Sequence, residues 1–432
     1  MQKFKNLFIN IDRNVWIRFI GETINGISFM MIMPFFALYL KDRVDSIFMV
    51  GIVMAVSPIT AMVGSIFGGR LADRYGRKPM MFISNFGNGF VMVGFVFFDS
   101  FIAYIFLSAL LGLFNSLFNP AASAMVADVT LEEKRTEAYG LLRMGHNIGA
   151  AIGPILGVSI IILSKTLIFI IASTTLFIYS IIIVIFIRET LPEKIPEKIV
   201  KGLNYQKEKK LTFLNIILKD KLLLIFVMTG VIISMGFSQT EGMLPIHFDN
   251  ELPFLSDTQN PFPYLMTLNG LLVVLFQFPI SKWASKRLMG KVMLYGAFLF
   301  GLGLLLLGWL PSLFNKLGAE YYQIMFVLLI VYAIYTLGEM LMSPVQMTFV
   351  ANIAPEELRG TYMGVASLQW ILGGITGPLL GGFLLGKELG SVLYTILGIG
   401  SIIAGLVFLS LDRLVEEKKV NDDYYKKNGI AR

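Results

Sequence analysis

The sequence predicts an all-α membrane protein with twelve transmembrane helices, arranged as two pseudo-symmetric six-helix bundles. Three observations lead to this fold class: an apolar composition, twelve apolar runs of membrane-spanning length, and an internal repeat. The 432 residues are 56% hydrophobic and only 15% charged, and their mean hydropathy is +0.72. One soluble core could not bury this much apolar surface, so lipid must be part of the solvent.

Each apolar run has about the 20 residues that an α-helix needs to cross a hydrocarbon core of about 30 Å. The first run opens with Trp16 and Arg18 and lacks a small-residue cleavage site, so it indicates a retained span rather than a signal peptide. The twelve predicted spans are 16–40, 47–69, 79–98, 101–126, 139–163, 166–187, 222–246, 264–285, 290–311, 321–347, 361–386 and 389–411.

The second half of the chain repeats the first. Residues 126–135 align without gaps, at an offset of 224, with residues 350–359, and the same offset places Gly153-Pro154 on Gly377-Pro378. Duplicated six-helix units, related by an axis along the membrane normal, explain this register. We therefore expect an N-terminal bundle at 1–187, a cytoplasmic linker at 188–221, a C-terminal bundle at 222–411 and a cytoplasmic tail at 412–432. Within the linker, residues 211–218 are either a short interfacial helix or plain linker.

The formal net charge of +7 is explained by topology and not by a nucleic-acid partner. If both termini are cytoplasmic, 29 of the 36 Lys and Arg residues lie on the cytoplasmic side. The positive-inside rule therefore places both termini in the cytoplasm of a cell-membrane protein. Only five basic residues would face the opposite side: Lys41, Arg43, Lys165, Lys316 and Lys387.

Several kinds of site are missing from the sequence. There is no cysteine, which excludes disulfides, a thiolate nucleophile and a thiolate metal site. There is no nucleotide-binding Gly-Lys-Ser/Thr loop, so we expect an ion gradient, and no cofactor, to supply the energy. A polytopic membrane enzyme or a channel is the alternative from another class, but only His146 and His247 could contribute histidine chemistry.

The most specific motif is the segment 69–79, GRLADRYGRKP, which follows span 2. Gly76 permits a tight backbone reversal, and the charged residues lie at the cytoplasmic surface; a plain basic loop is the alternative. The ordered pattern closely resembles the loop 2-3 signature of the major facilitator superfamily, and with the twelve spans and the repeat this resemblance covers nearly the whole chain. It implies conformational gating by Gly69, Asp73, Arg74, Gly76, Arg77, Lys78 and Asp128, and by Gly153 and Pro154 in span 5. Anionic groups are stabilised beside Arg and at helix N-termini, so we expect Arg77 to pair with Asp128 at the cytoplasmic end of span 4. We also expect Asp73 to lie at the start of a helix of the other half and to favour the outward-open state.

Span 5 carries Gly149-x-x-x-Gly153-Pro154-x-x-Gly157, in which small residues permit close helix approach and the proline bends the helix. In this position the pattern resembles the signature of the antiporters of the superfamily, which favours export, although the second half has the pattern too, at residues 373–382. One expectation fails: drug-exporting relatives often have an Arg four residues before a Gly in span 4, and Ser108 stands there before Gly112.

Six ionisable residues within the predicted spans are candidates for function, because each costs a few kcal/mol unless it faces protein or water. Glu22 in span 1 and Arg143 in span 5 lie at similar depth and could form a pair, either structural or substrate-facing. His146 follows within a turn, as a packing group or as a proton relay. The others are Arg18, Glu241 and Glu339.

The segments around Glu241 in span 7 and Glu339 in span 10 resemble those of the drug:proton antiporter branch, in which such acids serve proton coupling and recognition of cationic drugs. A carboxyl group in a low-dielectric site can gain and lose a proton near neutral pH. The resemblance therefore implies proton coupling by Glu241 and Glu339, with Glu22 and Asp128 secondary.

Taken with the resemblance, the sequence predicts a monomeric secondary transporter that exports lipophilic, cationic compounds in exchange for protons by alternating access between two bundles. Its partners would be small lipophilic molecules, protons and membrane lipid, and no nucleic acid. A same-fold importer or a flippase of lipid-linked sugars is the rival, but a flippase would need basic or aromatic groups for a headgroup. The predicted substrate cavity contains Glu22, Asn25, Phe29, Met33, Arg143, His146, Gln239, Glu241 and Glu339.

Overall fold

The structure, a computed structural model, describes residues 12–131, 135–161, 163–191, 220–255, 259–354 and 359–427. Inside these ranges it does not describe the side chains of residues 34, 66, 135–137, 140, 143, 241, 359–361, 413 and 416–427. No β-strand occurs in the described ranges, and helices occupy every predicted span. The predicted linker lies almost wholly outside the described residues.

Six long helices form the first half. The first helix bends by 42° between Met33 and Phe35, at the position of Pro34, where a proline removes one helical hydrogen bond. The six helices are α1 (Arg13–Lys41), α2 (Ile47–Tyr75), α3 (Arg77–Phe97), α4 (Phe101–Val129), α5 (Arg135–Ile161) and α6 (Leu167–Phe186).

The second half contains six further spans, two of which are interrupted. Helix α7 consists of Lys221–Ser238, a π-helical turn at Gln239–Met243, and Leu244–Glu251; α11 consists of Arg359–Ala366 and Leu368–Leu385. The remaining spans are α8 (Phe262–Ala284), α9 (Met289–Leu317), α10 (Tyr321–Ile353) and α12 (Gly390–Lys427). In the described part of the chain, eleven helices are long and apolar enough to cross a membrane, and the bent α1 brings the number to twelve. The predicted fold class is therefore confirmed.

The chain groups into two compact units. The first contains Met1–Ile32 and Val56–Thr212, and the second contains Met33–Ala55 and Phe213–Arg432. The end of α1 belongs to the second unit because Lys41 Nζ lies 2.5 Å from Asp249 Oδ2 of α7 and also donates to Asn250. The predicted domain boundaries themselves stay a prediction.

Glycines of the fifth helix in each half allow close helix packing. A Cβ atom on Gly149 of α5 would overlap the backbone of Gly26 in α1, and one on Gly153 would overlap Met30. In the second unit, a Cβ on Gly373 of α11 would overlap Ser234 of α7. The repeated glycine pattern thus has one physical role in both halves: it brings the fifth helix of each half against the first.

Candidate functional site

A cavity of about 310 Å³ lies inside the first unit, between α1, α3, α4, α5 and α6. Four of the predicted cavity residues line it: Glu22, Asn25, Phe29 and His146. Met33 of the predicted set does not line it and belongs to the second unit. Apolar side chains cover part of the wall, and the polar groups are Glu22, Asn25, Ser28, Ser84, Asn85, Asn88, Asn115, Asn119 and His146.

Glu22 is held in a local charge network at the wall of this cavity. Arg18, one turn earlier on α1, donates from Nη1 to Glu22 Oε2, and the guanidinium lies 4.6 Å from the centre of the Phe118 ring. His146 Nδ1 of α5 lies 3.7 Å from Glu22 Oε1. The Glu22–Arg143 pair considered from the sequence is not tested, because the side chain of Arg143 lies outside the described residues. Among the described side chains, the basic groups beside Glu22 are Arg18 of its own helix and His146 of α5.

Asparagines connect the three helices α1, α3 and α4. Asn25 Nδ2 donates to Asn85 Oδ1 at 2.9 Å, and Asn85 Nδ2 donates to the Met81 carbonyl at 3.1 Å. Asn88 Nδ2 donates to Asn115 Oδ1 at 2.8 Å. Asn85 and Asn88 are 3% and 5% exposed. The sequence reasoning started from ionisable residues and their helical neighbours, so of this group it named Asn25 and missed Asn85, Asn88 and Asn115.

The second unit holds Glu339 at the contact between α8 and α10. Asn269 Nδ2 of α8 donates to Glu339 Oε2 at 2.7 Å and lies 3.1 Å from Thr336 Oγ1, one turn earlier on α10. Nearby, Thr240 of α7 and Tyr335 share a hydroxyl hydrogen bond of 2.6 Å. Glu339 is partly exposed, and the Asn269 amide holds one of its carboxyl oxygens.

Glu241 lies in the π-helical turn Gln239–Met243 of α7. Its side chain is outside the described residues, so its predicted coupling role stays a prediction; π-turns within helices are frequent at functional sites. Gln239 is fully buried, and its amide donates to the Gly377 carbonyl of α11. In this structure Gln239 therefore joins two helices of the second unit.

The motif between α2 and α3 forms a charge cluster around Arg77. Arg77 Nη1 lies 2.5 Å from Asp73 Oδ1, and Arg77 Nε lies 3.3 Å from Asp128 Oδ2 at the end of α4. The predicted Arg77–Asp128 pair is thus present. Gly76 has φ of 110°, a backbone conformation that explains the glycine. Asp73 pairs with Arg77 of its own unit, and its side chain is 71% exposed.

Glu189, just after α6, completes this cluster and was not singled out from the sequence. Glu189 Oε1 accepts from the Arg77 backbone N–H at 2.9 Å, and Oε2 accepts from the Lys78 N–H at 3.2 Å. The next residue, Thr190, donates its hydroxyl to Asp128 Oδ2 at 3.0 Å. The segment after α6 therefore ties the ends of α3 and α4 together.

No group of three or more His, Asp or Glu side chains that could hold a metal ion occurs in the described residues. Of the three acids predicted within the spans, the two whose side chains are described, Glu22 and Glu339, lie in different units and have different partners. The arrangement offers polar binding groups and carboxylates inside apolar helical bundles.

Comparison with known proteins gives the family. The sequence pattern of the Major Facilitator Superfamily matches residues 18–262 and 255–427, which is nearly the whole chain. The chain belongs to the major facilitator superfamily. It is therefore a multi-pass membrane transporter of small molecules or ions, and not an enzyme.

Two relatives are similar to this chain over most of its length. A protein of Planococcus maritimus named a Na⁺, Li⁺, K⁺/H⁺ antiporter is 27% identical over 438 residues, covering 95% of this chain and 98% of the relative. The multidrug resistance protein MdtH of Salmonella typhimurium is 26% identical over 395 residues, covering 89% of this chain and 90% of the relative.

Solved transporter structures share the fold. A peptide transporter POT in complex with sulfate matches with a TM-score of 0.72 at 16% identity, covering 94% of this chain and 96% of the other. The nucleoside transporter NupG matches with a TM-score of 0.74 at 12% identity, covering 93% and 99%. At these identities the likeness concerns the fold alone.

Proposed function

We propose that this chain is a proton-coupled antiporter of the drug:proton branch that exports lipophilic cations by alternating access. The observation that carries the proposal is the carboxyl group of Glu339, which the Asn269 amide holds at 2.7 Å on α10. An acid within a membrane span is costly unless it has a function or a partner, and a carboxyl group is the simplest group that can carry either a proton or a charge opposite a cation.

Exchange follows from competition for one carboxylate. A cationic substrate stabilises the ionised form of Glu339 and displaces its proton, and protonation in turn releases the cation. Because the two occupants exclude each other, downhill entry of protons can drive outward movement of the cation. We propose that Glu241 of α7 also takes part in proton coupling, with Glu22 and Asp128 secondary.

The decisive experiment measures export of a fluorescent lipophilic cation from whole cells, with and without a protonophore. Wild-type export should stop when the protonophore collapses the proton gradient. Glu339→Gln keeps the shape and the Asn269 hydrogen bond but cannot ionise, so it should abolish export or uncouple it from protons while expression stays normal. Glu241→Gln should weaken export of cations more than export of neutral compounds.

Glu320→Gln is the matched control, because Glu320 is an exposed acid that immediately precedes the same helix, α10. This variant should export the dye like the wild type. Full proton-driven export by the Glu241→Gln, Glu339→Gln double variant would end the proposal. Loss of folded protein in detergent would show that the acids hold the structure together and do not couple transport.

A second candidate is exchange of alkali cations for protons. It is favoured by the amide-rich cavity of the first unit, since amide oxygens are good ligands for hard cations, and by the name of the Planococcus maritimus relative. Proton release from inverted vesicles on addition of Na⁺ or K⁺, without any response to lipophilic cations, would favour this candidate over drug export.

We also propose cytoplasmic termini and a cytoplasmic 188–221 linker, which the distribution of Lys and Arg supports. Single cysteines in this cysteine-free chain give the test. A cysteine at Asn204 should resist an impermeant thiol reagent in intact cells, and one at Asp257 should react. Both positions lie outside the described residues. The opposite labelling pattern would invert the topology.

A further inference from the structure

The second unit presents an accessible indole ring where α7 meets α11. Trp370 of α11 is 41% exposed, and its ring centre lies 5.2 Å from that of the buried Phe237 on α7, at an interplanar angle of 52°. The Trp370 backbone is held at the same contact, because Ser234 Oγ of α7 donates to its carbonyl oxygen at 3.4 Å. One side of the indole is therefore packed against α7, and the rest of the ring can be reached by a ligand.

A buried aromatic cluster fixes the position of Phe237 and thereby supports the indole. The ring centre of Phe237 lies 4.7 Å from that of Phe300 on α9 and 6.2 Å from that of Tyr335 on α10, and both of these rings are buried. Tyr335 lies one turn before Glu339 on α10. The exposed indole is thus linked, ring by ring, to the helix that carries the proposed coupling carboxylate.

The internal repeat relates this pair of rings to the cavity of the first unit. The offset of 224 that aligns α5 with α11 places Trp370 on His146. The glycine contacts that bring the fifth helix of each half against the first also align Phe29 of α1 with Phe237 of α7, each three residues after the contacted position. Phe29 and His146 both line the cavity of the first unit. The duplicated fold therefore places Phe237 and Trp370 where the first unit forms its cavity wall.

The corresponding positions differ in chemistry. His146 lies 3.7 Å from the Glu22 carboxylate, whereas Trp370 presents an aromatic face. In the described part of the chain no Lys or Arg lies over the Trp370 ring, while the exposed ring of Trp283 on α8 holds the Arg287 guanidinium at 3.9 Å from its centre. An indole face attracts a cation within about 6 Å of its centre, and it does so more strongly when the cation is desolvated.

We infer that Trp370 is an aromatic platform that recognises the cationic group of the substrate. It selects weakly hydrated cations, such as arylphosphonium and quaternary ammonium ions, over neutral molecules of similar shape, because only the cation gains from the negative face of the indole. This inference deepens the proposed export of lipophilic cations and rests on it. The carboxyl group of Glu339 remains the exchange site, and Trp370 determines which cations bind.

The test measures binding of tetraphenylphosphonium to the purified full chain in detergent by calorimetry, with the neutral triphenylphosphine oxide as reference ligand. Trp370→Leu should weaken binding of the cation about tenfold, because the ring face is lost, and should affect the neutral ligand less. Trp370→Phe keeps a ring face and should bind the cation only about threefold more weakly than the wild type. Gel filtration shows whether each variant is folded.

Trp283→Leu is the matched control, because Trp283 is 40% exposed but Arg287 already occupies its ring face. This variant should bind tetraphenylphosphonium like the wild type. If Trp283→Leu weakened binding as much as Trp370→Leu, the loss would not be specific to Trp370, and the platform would be overturned.

Fluorescence locates the ring. Replacement of Trp16, Trp283 and Trp309 by Phe leaves Trp370 as the single tryptophan. Tetraphenylphosphonium should change the emission of this chain with the same Kd that calorimetry gives. In bilayers, phospholipid brominated in its acyl chains should leave the emission nearly unchanged. Strong quenching by the brominated lipid would show that the indole faces the bilayer, and this would overturn the inference.

Two further outcomes separate the inference from the proposed function. A wild-type protein that binds no tetraphenylphosphonium would overturn the cationic substrate, and the platform with it. Binding by the wild type with equal affinity in Trp370→Leu would overturn the platform alone. If Trp370→Leu does not fold, Trp370→Met, which has a flexible apolar side chain and no ring face, takes its place in each comparison.

Discussion

At the scale of single residues, Arg18 and Glu22 show how a membrane span carries charge. Arg18 is only 6% exposed, and its guanidinium contacts both the Glu22 carboxylate and the face of the Phe118 ring. Glu22 is less buried than Arg18, and His146 approaches its other oxygen. Arg18 is the more buried of the two residues, and the Glu22 carboxylate compensates its charge.

Glu22→Gln should therefore destabilise the protein, because it leaves the buried Arg18 charge without its anion, at a cost on the order of 3 kcal/mol. Thermal unfolding in detergent measures the effect. Adding Arg18→Met to Glu22→Gln should recover much of the loss, since no uncompensated charge remains. His146→Gln should change little because that side chain is 47% exposed. A Glu22→Gln protein that unfolds at the wild-type temperature would contradict this account.

Some of these residues could be predicted from the sequence and others could not, for a physical reason. Glu22 and His146 stand out because ionisable groups in an apolar run are costly. Asn85 and Asn88 lie in span 3 and are just as evident in the sequence. A neutral amide, however, does not have the cost of a charged group once it is hydrogen-bonded. Only the structure shows that Asn85 is paired to a backbone carbonyl and that this pairing orients Asn25.

At the scale of helices, both halves cap their third helix in the same way. The residue before α3, Gly76, makes no side-chain cap, and Glu189 from the end of α6 accepts the first two N–H groups instead. In the second unit the residue before α9, Leu288, cannot cap, and Asp412 of α12 accepts the Gly290 N–H at 2.8 Å. In both halves, an acid on the sixth helix or just after it thus accepts hydrogen bonds from N–H groups at the N-terminus of the third helix.

Glu189→Ala should lower the stability of the protein by about 1–2 kcal/mol, the usual cost of losing a helix cap. Glu189→Gln keeps one acceptor oxygen and should cost less. Thr190→Val is the neighbouring control, since it removes the contact with Asp128 and leaves the α3 N-terminus satisfied. Unfolding midpoints in detergent rank the variants, and an Ala variant as stable as Thr190→Val would count against the cap.

Helix positions were largely predictable, whereas their interruptions were not. The predicted span 3, 79–98, became Arg77–Phe97, and span 6, 166–187, became Leu167–Phe186, because bilayer thickness sets the length of an apolar run. The π-turn at Gln239–Met243 and the break between Ala366 and Leu368 cannot be detected from the hydropathy of the sequence. They coincide with polar contacts between α7 and α11, such as Ser238 to the Gly373 carbonyl, which a sequence alone cannot supply.

At the scale of the whole molecule, transport requires a change between an outward-open and an inward-open conformation. The charge cluster around Arg77 is suited to favour one of these conformations over the other. Arg77 is 8% exposed and is shared by Asp73 and Asp128. The Asp73 side chain is mostly in solvent, so its pair with Arg77 contributes at most about 1 kcal/mol to stability. An interaction of that size barely affects folding, yet it can shift a two-state equilibrium several-fold.

Asp73→Asn should consequently leave the unfolding temperature unchanged and move the population several-fold towards the inward-open state, because the gating motif predicts that Asp73 stabilises the outward-open one. Spin labels on cysteines at Leu131 and Lys286, both exposed, report the distance distribution in this cysteine-free chain. Asp45→Asn is the matched control, since it removes the same charge just before the opposite end of α2. Identical distributions for Asp73→Asn and Asp45→Asn would show that Asp73 does not act as a latch.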